Sequence, residues 1–522
     1  LEQLKTMQAS SYNGVLRIVT IWIALSVSHA GAQDPKQAKP DSGRPNMIVI
    51  LADDLGYGDV GCYGAKTIPT PNIDRLAAEG IRFTSGYCSA STCTPTRYSL
   101  LTGKYAFRQK GTGVAPPNSP SIIPAGTPTI ASVLRSAGYK TAVIGKWHLG
   151  LGGPQGPDWN GTLRPGPLDF GFDHCFLMPT TNDRVPQVFV QDDRVLGLDP
   201  DDPLWVGENK PSEDHPTGVT HRAELKMNWS HGHNATIHNG VSRIGFYTGG
   251  HKARFRDEDL SDHWVQEADR WIRDHRHEPF FLYFCSHAIH VPRIVHERFT
   301  GATEHGPRGD AIVEFDWSVG QILKTLEDCK LDQNTLVLVC SDNGPVLDDG
   351  YEDRAIEALG DHDPNGPYRG GKYNVYEGGV RTPMIAWWPG RISPRVSDKV
   401  ICTIDYPRTL AALGQAVVPE GACPDSVDLS RVFFDGNAPG RNSLVVQDNG
   451  QSGTYGYREG KWKLIRSDSQ RANNVDLRLV PTKIPKYQLF DLENDPGELE
   501  NVVQDHRRLA DGMIQRLQEA IE

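Results

Sequence analysis

Cys93 stands two residues before Pro95 and four before Arg97, in Cys93-Thr94-Pro95-Thr96-Arg97. A helix starting just after Pro95 would aim its free N–H groups at an anion, because proline suits the first helical turn. Taken alone, those five residues are equally a structural cysteine at a helix start. Asp53-Asp54 and Asp342-Asn343 offer three carboxylates and one amide oxygen. That hard, all-oxygen set suits Ca²⁺ or Mg²⁺ and not zinc. An isolated Asp pair, however, is more often a cap or a turn. Lys146 and His148, in Gly145-Lys146-Trp147-His148, follow an apolar run directly, which is not where a surface lysine sits. His287 and His290 follow another apolar run. Such cations and imidazoles are suited to bind an anionic ester and to move its protons.

These groups need a frame that brings distant residues together. Met47-Ile48-Val49-Ile50-Leu51 runs into Asp53-Asp54, and Thr141-Ala142-Val143-Ile144 into Lys146. Phe280-Phe281-Leu282-Tyr283-Phe284 leads to His287 and His290, and Leu336-Val337-Leu338-Val339-Cys340 to Asp342. Each run suits a strand buried on both faces. The carboxyl ends of such strands carry the site in α/β sheets. Helical spacing joins Ile130, Val133 and Leu134, and again Ile312, Phe315, Val319, Ile322, Leu323 and Leu326. Residues 150–250, rich in Gly, Pro, Asp and His, are expected to be long loops. Tyr455-Gly456-Tyr457-Arg458, Trp462-Lys463-Leu464-Ile465 and Tyr487-Gln488-Leu489-Phe490-Asp491 read as short antiparallel strands. A helix with Leu509, Met513, Ile514, Leu517 and Ile521 on one face follows. The class is therefore α/β, with a small α+β C-terminal subdomain.

Read as one stretch, Cys93-Thr94-Pro95-Thr96-Arg97-Tyr98-Ser99-Leu100-Leu101-Thr102-Gly103 resembles the sulfatase signature. Gly145-Lys146-Trp147-His148-Leu149-Gly150 resembles the second signature of that family. The resemblance runs from about residue 45 to the end, through Asp491-Leu492-Glu493-Asn494-Asp495-Pro496-Gly497-Glu498-Leu499-Glu500-Asn501, and is weakest over roughly residues 151–260. It implies an alkaline-phosphatase-like fold, a large mixed β-sheet sandwiched by helices. It implies that Cys93 is oxidised to formylglycine by a separate formylglycine-generating enzyme. It also implies a calcium ion held by Asp53, Asp54, Asp342, Asn343 and residue 93, with magnesium as the alternative. Arg97 would hold the nucleophile oxygen and the carboxylates in place. Lys146 and Lys372 would bind sulfate, and His148 would deprotonate the second hydroxyl. His290 would assist the leaving oxygen, and Asp342 would be the base. Ile289 stands where the family usually has proline before the histidine.

Composition bounds the rest. The 522 residues carry a formal charge of -11, which argues against a nucleic-acid partner, and 53 Gly with 37 Pro favour a loop-rich enzyme. Arg17, an apolar run over residues 18–25 and Ala30-Gly31-Ala32 read as an export signal, too short for a stable membrane span. With Leu at position 1, Met7 is the expected start. The expected organisation is a signal peptide over 1–32, a linker over 33–43, a catalytic domain over 44–439 and a C-terminal subdomain over 440–522. Nine cysteines without CxxC pairs exclude a zinc ribbon and leave disulfide pairing open. The expected substrate is a sulfated carbohydrate, with aryl sulfates as surrogates. His251, Lys252, Arg254, Asp348, Asp349, His362 and Asp363 are candidate contacts, or simply solvated loop charges. Two readings compete: a phosphate or phosphonate ester hydrolase on the same scaffold, and an inactive carbohydrate-binding homologue.

Overall fold

The computed structural model describes residues 43–449, 453–467 and 484–522. The expected signal peptide, and all of the expected linker but Gly43, lie outside the described residues. Among those described, no helix is long and apolar enough to cross a membrane.

A ten-stranded mixed sheet forms the centre. Its order is Arg395–Ser397, Ile81–Phe83, Met384–Trp387, Thr335–Ser341, Asn46–Ala52, Phe280–Cys285, Lys140–Lys146, His174–Met178, Val190–Gln191 and Arg194–Val195. The middle five, from Thr335–Ser341 to His174–Met178, run parallel. Asn46–Ala52 shows why its sequence is a continuous apolar run. Met47, Val49 and Leu51 enter one hydrophobic core, while Ile48, Ile50 and Ala52 enter the other. Both faces of the strand are buried, so no polar alternation survives. Each fully buried aliphatic side chain there contributes about 1.5–3 kcal/mol.

Helices cover both faces. Leu260–Asp274 and Gly306–Asp328 pack on one side through Trp264, Ile272, Ile312, Phe315 and Val319. Cys93–Thr102 and Ile130–Ser136 pack on the other through Tyr98, Leu101, Ile130 and Leu134. Two expectations need correction. The helix after Thr92 begins at Cys93 itself, not after Pro95, which is allowed because a first-turn proline gives up an N–H that has no helical partner anyway. His174–Met178, inside the stretch read as loop, is a fully paired strand of the main sheet. The rest of residues 150–250 carries only two- or three-residue strands and single turns of 3₁₀ helix.

Ser443–Gln447, Tyr455–Glu459, Trp462–Arg466 and Tyr487–Asp491 form an antiparallel sheet in that order, followed by the helix Arg507–Ile521. This sheet shares a core with Tyr87, Val375, Tyr376 and Val380, so it lies against the segment that carries Lys372. All nine cysteines are free thiols.

Candidate functional site

Parallel register places the polar groups. Ala52 pairs with Ser341, Leu51 with Cys285, and Cys285 with Gly145. Asp53, Asp342, Ser286 and Lys146 therefore emerge side by side at one edge of the sheet. The chain turns sharply there, with Asp54 at φ 65 and His148 at φ 54. Left-handed backbone costs a non-glycine residue roughly 1–2 kcal/mol. It is held by Leu55 N donating to Ser341 Oγ at 3.0 Å and by His148 N donating to Pro179 O at 3.1 Å.

Asp53, Asp54, Asp342 and Asn343 are all buried. Asn343 Nδ2 donates to Asp54 Oδ1 at 2.7 Å and to Gly344 O at 2.9 Å, which turns its own Oδ1 away. That oxygen and Asp53 Oδ1 are buried without a hydrogen-bond partner. Buried acceptors left unmatched in this way are costly unless something else satisfies them. Burial, then the neighbouring Asp342 carboxylate, pushes Asp53 up to about 8 against the pull of Lys146. Asp53, Asp54 and His290 bring one ligand atom each within 4.8 Å of one another. The carboxylates, with the unmatched Asn343 oxygen, fit a hard divalent cation, and the His290 nitrogen lies beside them.

Cations close the ring. Arg97 donates through Nε to Asp342 Oδ2 at 2.9 Å and through Nη1 to Lys146 O at 3.0 Å. Lys146 pairs with Asp53. Lys372 pairs with Asp54 at 2.9 Å and Asp349 at 2.8 Å. Burial works against the Lys372 charge, but Asp349 and Asp54 outweigh it and hold the ammonium well above its usual range. His290 Nδ1 donates to Val291 O at 2.7 Å, which frees Nε2 for the site. Burial and the two lysines keep its imidazole neutral. His287 is engaged elsewhere, accepting from Trp264 Nε1 at 3.2 Å.

Cys93 Sγ lies 3.1 Å from His148 Nδ1, and His148 Nε2 donates to Ala115 O at 3.0 Å. The thiol is therefore the donor and Nδ1 the acceptor. Burial, helped by Lys146, keeps His148 far below its usual range and hence neutral. Burial also pushes the Cys93 thiol up. A protonated thiol beside a neutral imidazole is a weak sulfur nucleophile, unlike the thiolates of reactive cysteines.

A family model described as Sulfatase matches residues 45–416. The chain belongs to the sulfatase family. A second model, for the C-terminal part of N-sulphoglucosamine sulphohydrolase, matches residues 370–522. The sulfatase is 43% identical to an N-acetylgalactosamine-6-O-sulfatase of Bacteroides thetaiotaomicron, over 92% of this chain and 93% of that protein. It is 33% identical to human arylsulfatase A, over 88% of this chain and 83% of the relative. A solved Bacteroides thetaiotaomicron structure, described within a locus for the metabolism of multiple glycosaminoglycans, superposes with a TM-score of 0.88 at 43% identity, covering 92% of this chain and 99% of that one. The chain is thus an enzyme, a sulfuric ester hydrolase with an alkaline-phosphatase-like fold.

The sulfatase site brings together Cys93, Arg97, Lys146, His148, His290, Asp342 and Lys372 with Asp53, Asp54 and Asn343. Among the loop charges considered above, Asp349 joins it through Lys372, and Tyr373 Oη donates to the same carboxylate at 2.9 Å. The others have partners elsewhere: His251 with Asp202, Lys252 with Asp199, Arg254 with Gly249 O, Asp348 with Ser230, His362 with Asp59, and Asp363 with Asn365 N. Asp183, Arg184 and His233 were not anticipated. Arg184 Nη1 donates to Asp183 at 2.8 and 2.9 Å and to Thr181 Oγ1 at 3.0 Å, and His233 Nε2 lies 2.9 Å from Asp183. Asp183 is held well below the usual carboxylate range: its burial is outweighed by Arg184 and by the hydrogen bond to His233. These residues lie in loops with no periodicity, so only the fold reveals them.

Proposed function

We propose that this sulfatase is exported and hydrolyses sulfate monoesters of carbohydrates, N-acetylgalactosamine 6-sulfate foremost, with a formylglycine at position 93 and a calcium ion. The observation that carries the reading is the Cys93 side chain: a buried, protonated thiol set beside an all-oxygen cage and two lysines. Such a sulfur has little use as a nucleophile, and its position is right for an oxygen. The sugar is supported by the galactosamine sulfatase at 43% identity, and the export signal of residues 1–32 supports the destination.

Converted to the aldehyde and hydrated, residue 93 offers one hydroxyl to attack sulfur and a second whose deprotonation releases sulfate. Asp53, Asp54, Asp342 and Asn343 would hold a calcium ion, or magnesium on the same donors, which would stabilise charge on the attacking oxygen and the sulfate. Asp342 commits Oδ2 to Arg97, while Oδ1 accepts only a long bond from Asp54 N at 3.4 Å, and this carboxylate serves as base. Lys146 and Lys372 oppose the sulfate oxygens. The leaving oxygen takes its proton from the Lys372 ammonium, and His290 Nε2, a lone pair while Nδ1 is bonded to Val291 O, stands ready to accept a hydrogen bond beside it. Nδ1 of His148, 3.1 Å from the residue 93 side chain, takes the proton of the second hydroxyl. Groups of these kinds are worth about 10²–10⁴-fold each.

Two measurements test this. Mass spectrometry of the peptide containing residue 93 is expected to show a loss of about 18 mass units, the conversion of thiol to aldehyde. Turnover on a panel of sulfated mono- and oligosaccharides, an aryl sulfate and an aryl phosphate is expected to favour a 6-sulfated galactosamine. A parent-like rate in Cys93→Ala, or a large preference for the phosphate, sinks the reading.

A further inference from the structure

The segment Gly370-Gly371-Lys372-Tyr373-Asn374-Val375-Tyr376-Glu377-Gly378-Gly379 places Lys372 by bonding to the two segments that carry Asp342 and Cys93. Lys372 N donates to Pro345 O at 2.9 Å, Tyr373 N to Ser91 O at 2.8 Å, and Gly344 N to Gly379 O at 2.9 Å. The fold-back is tight. A Cβ at Gly379 would meet Asn374 O at 1.9 Å.

From outside, one residue fastens both ends of this loop. The backbone carbonyl of Glu498 accepts from Arg369 Nη1 at 2.7 Å, three residues before Lys372. The Glu498 carboxylate accepts from Glu377 N at 2.5 Å, five residues after it. Lys463, on the third strand of the C-terminal sheet, bridges Glu377 at 2.8 Å and Glu498 at 3.1 Å. Tyr87 Oη, donating at 2.5 Å, and Arg381 Nη1, at 3.1 Å, both reach the remaining oxygen of Glu377. Glu498 is fully buried and has φ 53, a conformation that disfavours a side chain. A bulky carboxyl group is thus kept in a buried place that suits neither its polarity nor its backbone, inside the Asp495-Pro496-Gly497-Glu498 turn of the C-terminal motif, which the chemistry described above leaves without a role.

We propose that Glu498 is a positioning residue for sulfate-ester hydrolysis: it fastens both ends of the Lys372 loop, so the C-terminal sheet sets where Lys372 Nζ stands. This rests on the reading of Lys372 as a sulfate-binding cation. A merely structural Glu498 would alter melting but not act through Lys372.

The experiment is a double-mutant cycle in the full-length protein. Its readouts are kcat/KM on an aryl sulfate and calorimetric binding of inorganic sulfate, with folding checked by circular dichroism. Lys372→Ala is expected to lower kcat/KM about 10²–10³-fold, and Glu498→Ala about 10–100-fold, with a weaker grip on sulfate. Glu498→Gln, whose amide oxygen still accepts from Glu377 N, recovers most of that loss. Lys372→Ala with Glu498→Ala is expected to stay within about 3-fold of Lys372→Ala alone, since the two act as one unit. A double variant that loses the product of both factors overturns the proposal, as does a folded Glu498→Ala with parent activity. Should Glu498→Ala not fold, Arg369→Met cuts the other fastening and the cycle is read in the same way. Parent activity in Lys372→Ala overturns the role of Lys372 itself, and the clamp with it.

Discussion

His148 can occupy one tautomer only, because its Nε2 is spent on the Ala115 carbonyl. Nδ1 is left as a lone pair facing residue 93, the right state to accept a proton from the second hydroxyl of the proposed formylglycine diol. His148→Ala is therefore expected to block release more than attack. Stopped-flow measurement should show a burst of alcohol followed by turnover slowed about 10²–10³-fold; equal slowing of burst and turnover would assign His148 another task. Arg184 presents a different opportunity. Its Nη1 is held by Asp183 and Thr181, and its side chain keeps 16% exposure beside the site. A substrate hydroxyl bonded to that guanidinium is worth about 1.5–3 kcal/mol. Arg184→Met is expected to raise KM for a sulfated sugar about 10–100-fold and to leave a small aryl sulfate nearly unaffected, read from parallel steady-state assays. The reactive residues were legible in the sequence because each follows a strand or a signature. Arg184, in Thr181-Asn182-Asp183-Arg184, was not, because a loop residue is placed by long-range backbone pairing such as Ile244 N to Asp183 O, which leaves no period to read.

Among the elements, legibility followed burial. Asn46–Ala52, Phe280–Cys285 and Thr335–Ser341 are buried along their whole length, as is Lys140–Lys146 beyond its first residue, and all show as apolar runs. His174–Met178 opens with a half-buried histidine that contacts Asp192 and Glu267, and its five residues gave too short a signal amid Gly- and Asp-rich loop. The helix Gly306–Asp328 was visible from its apolar stripe, yet that stripe hides Glu314, which is buried against the neighbouring helix. Desolvation pushes Glu314 up to about 7, only partly countered by the His296 N–H and the Ser261 hydroxyl. The sign follows from proton counting. Between about pH 4.5 and 7 the folded state keeps a proton that the unfolded state loses, so this group lowers stability as pH rises through that window. At about 1.4 kcal/mol per pKa unit the effect reaches roughly 3 kcal/mol. Glu314→Gln is expected to flatten that part of the stability–pH profile in chemical denaturation and to stabilise the protein above pH 7. An unchanged slope would mean that Glu314 is ionised at low cost.

At the scale of the whole molecule, the sheet gathers charge that the chain's net -11 would not suggest. Asp53, Asp54, Asp342 and Asp349 meet Arg97, Lys146 and Lys372 in one buried place, leaving anionic charge and two unmatched oxygens at the ends of the central strands. Those strands belong to both hydrophobic cores, so strain at the cage is felt by the entire sheet. A divalent cation that binds the folded cage and not the unfolded chain must stabilise the whole, by about 2.7 kcal/mol at a free concentration one hundred times its Kd. Chelation is expected to lower the melting midpoint, and added calcium to raise it with the logarithm of concentration, as followed by scanning calorimetry. Asp53→Asn and Asp54→Asn should each weaken that dependence by removing an anionic donor. Lys463→Met, which removes ion pairs to Glu377 and Glu498 and no donor of the cage, should lower the midpoint and keep the calcium response. A midpoint indifferent to both chelator and calcium would mean that the cage is held by its own lysines and arginine, and that the unmatched oxygens of Asp53 and Asn343 await something other than a cation.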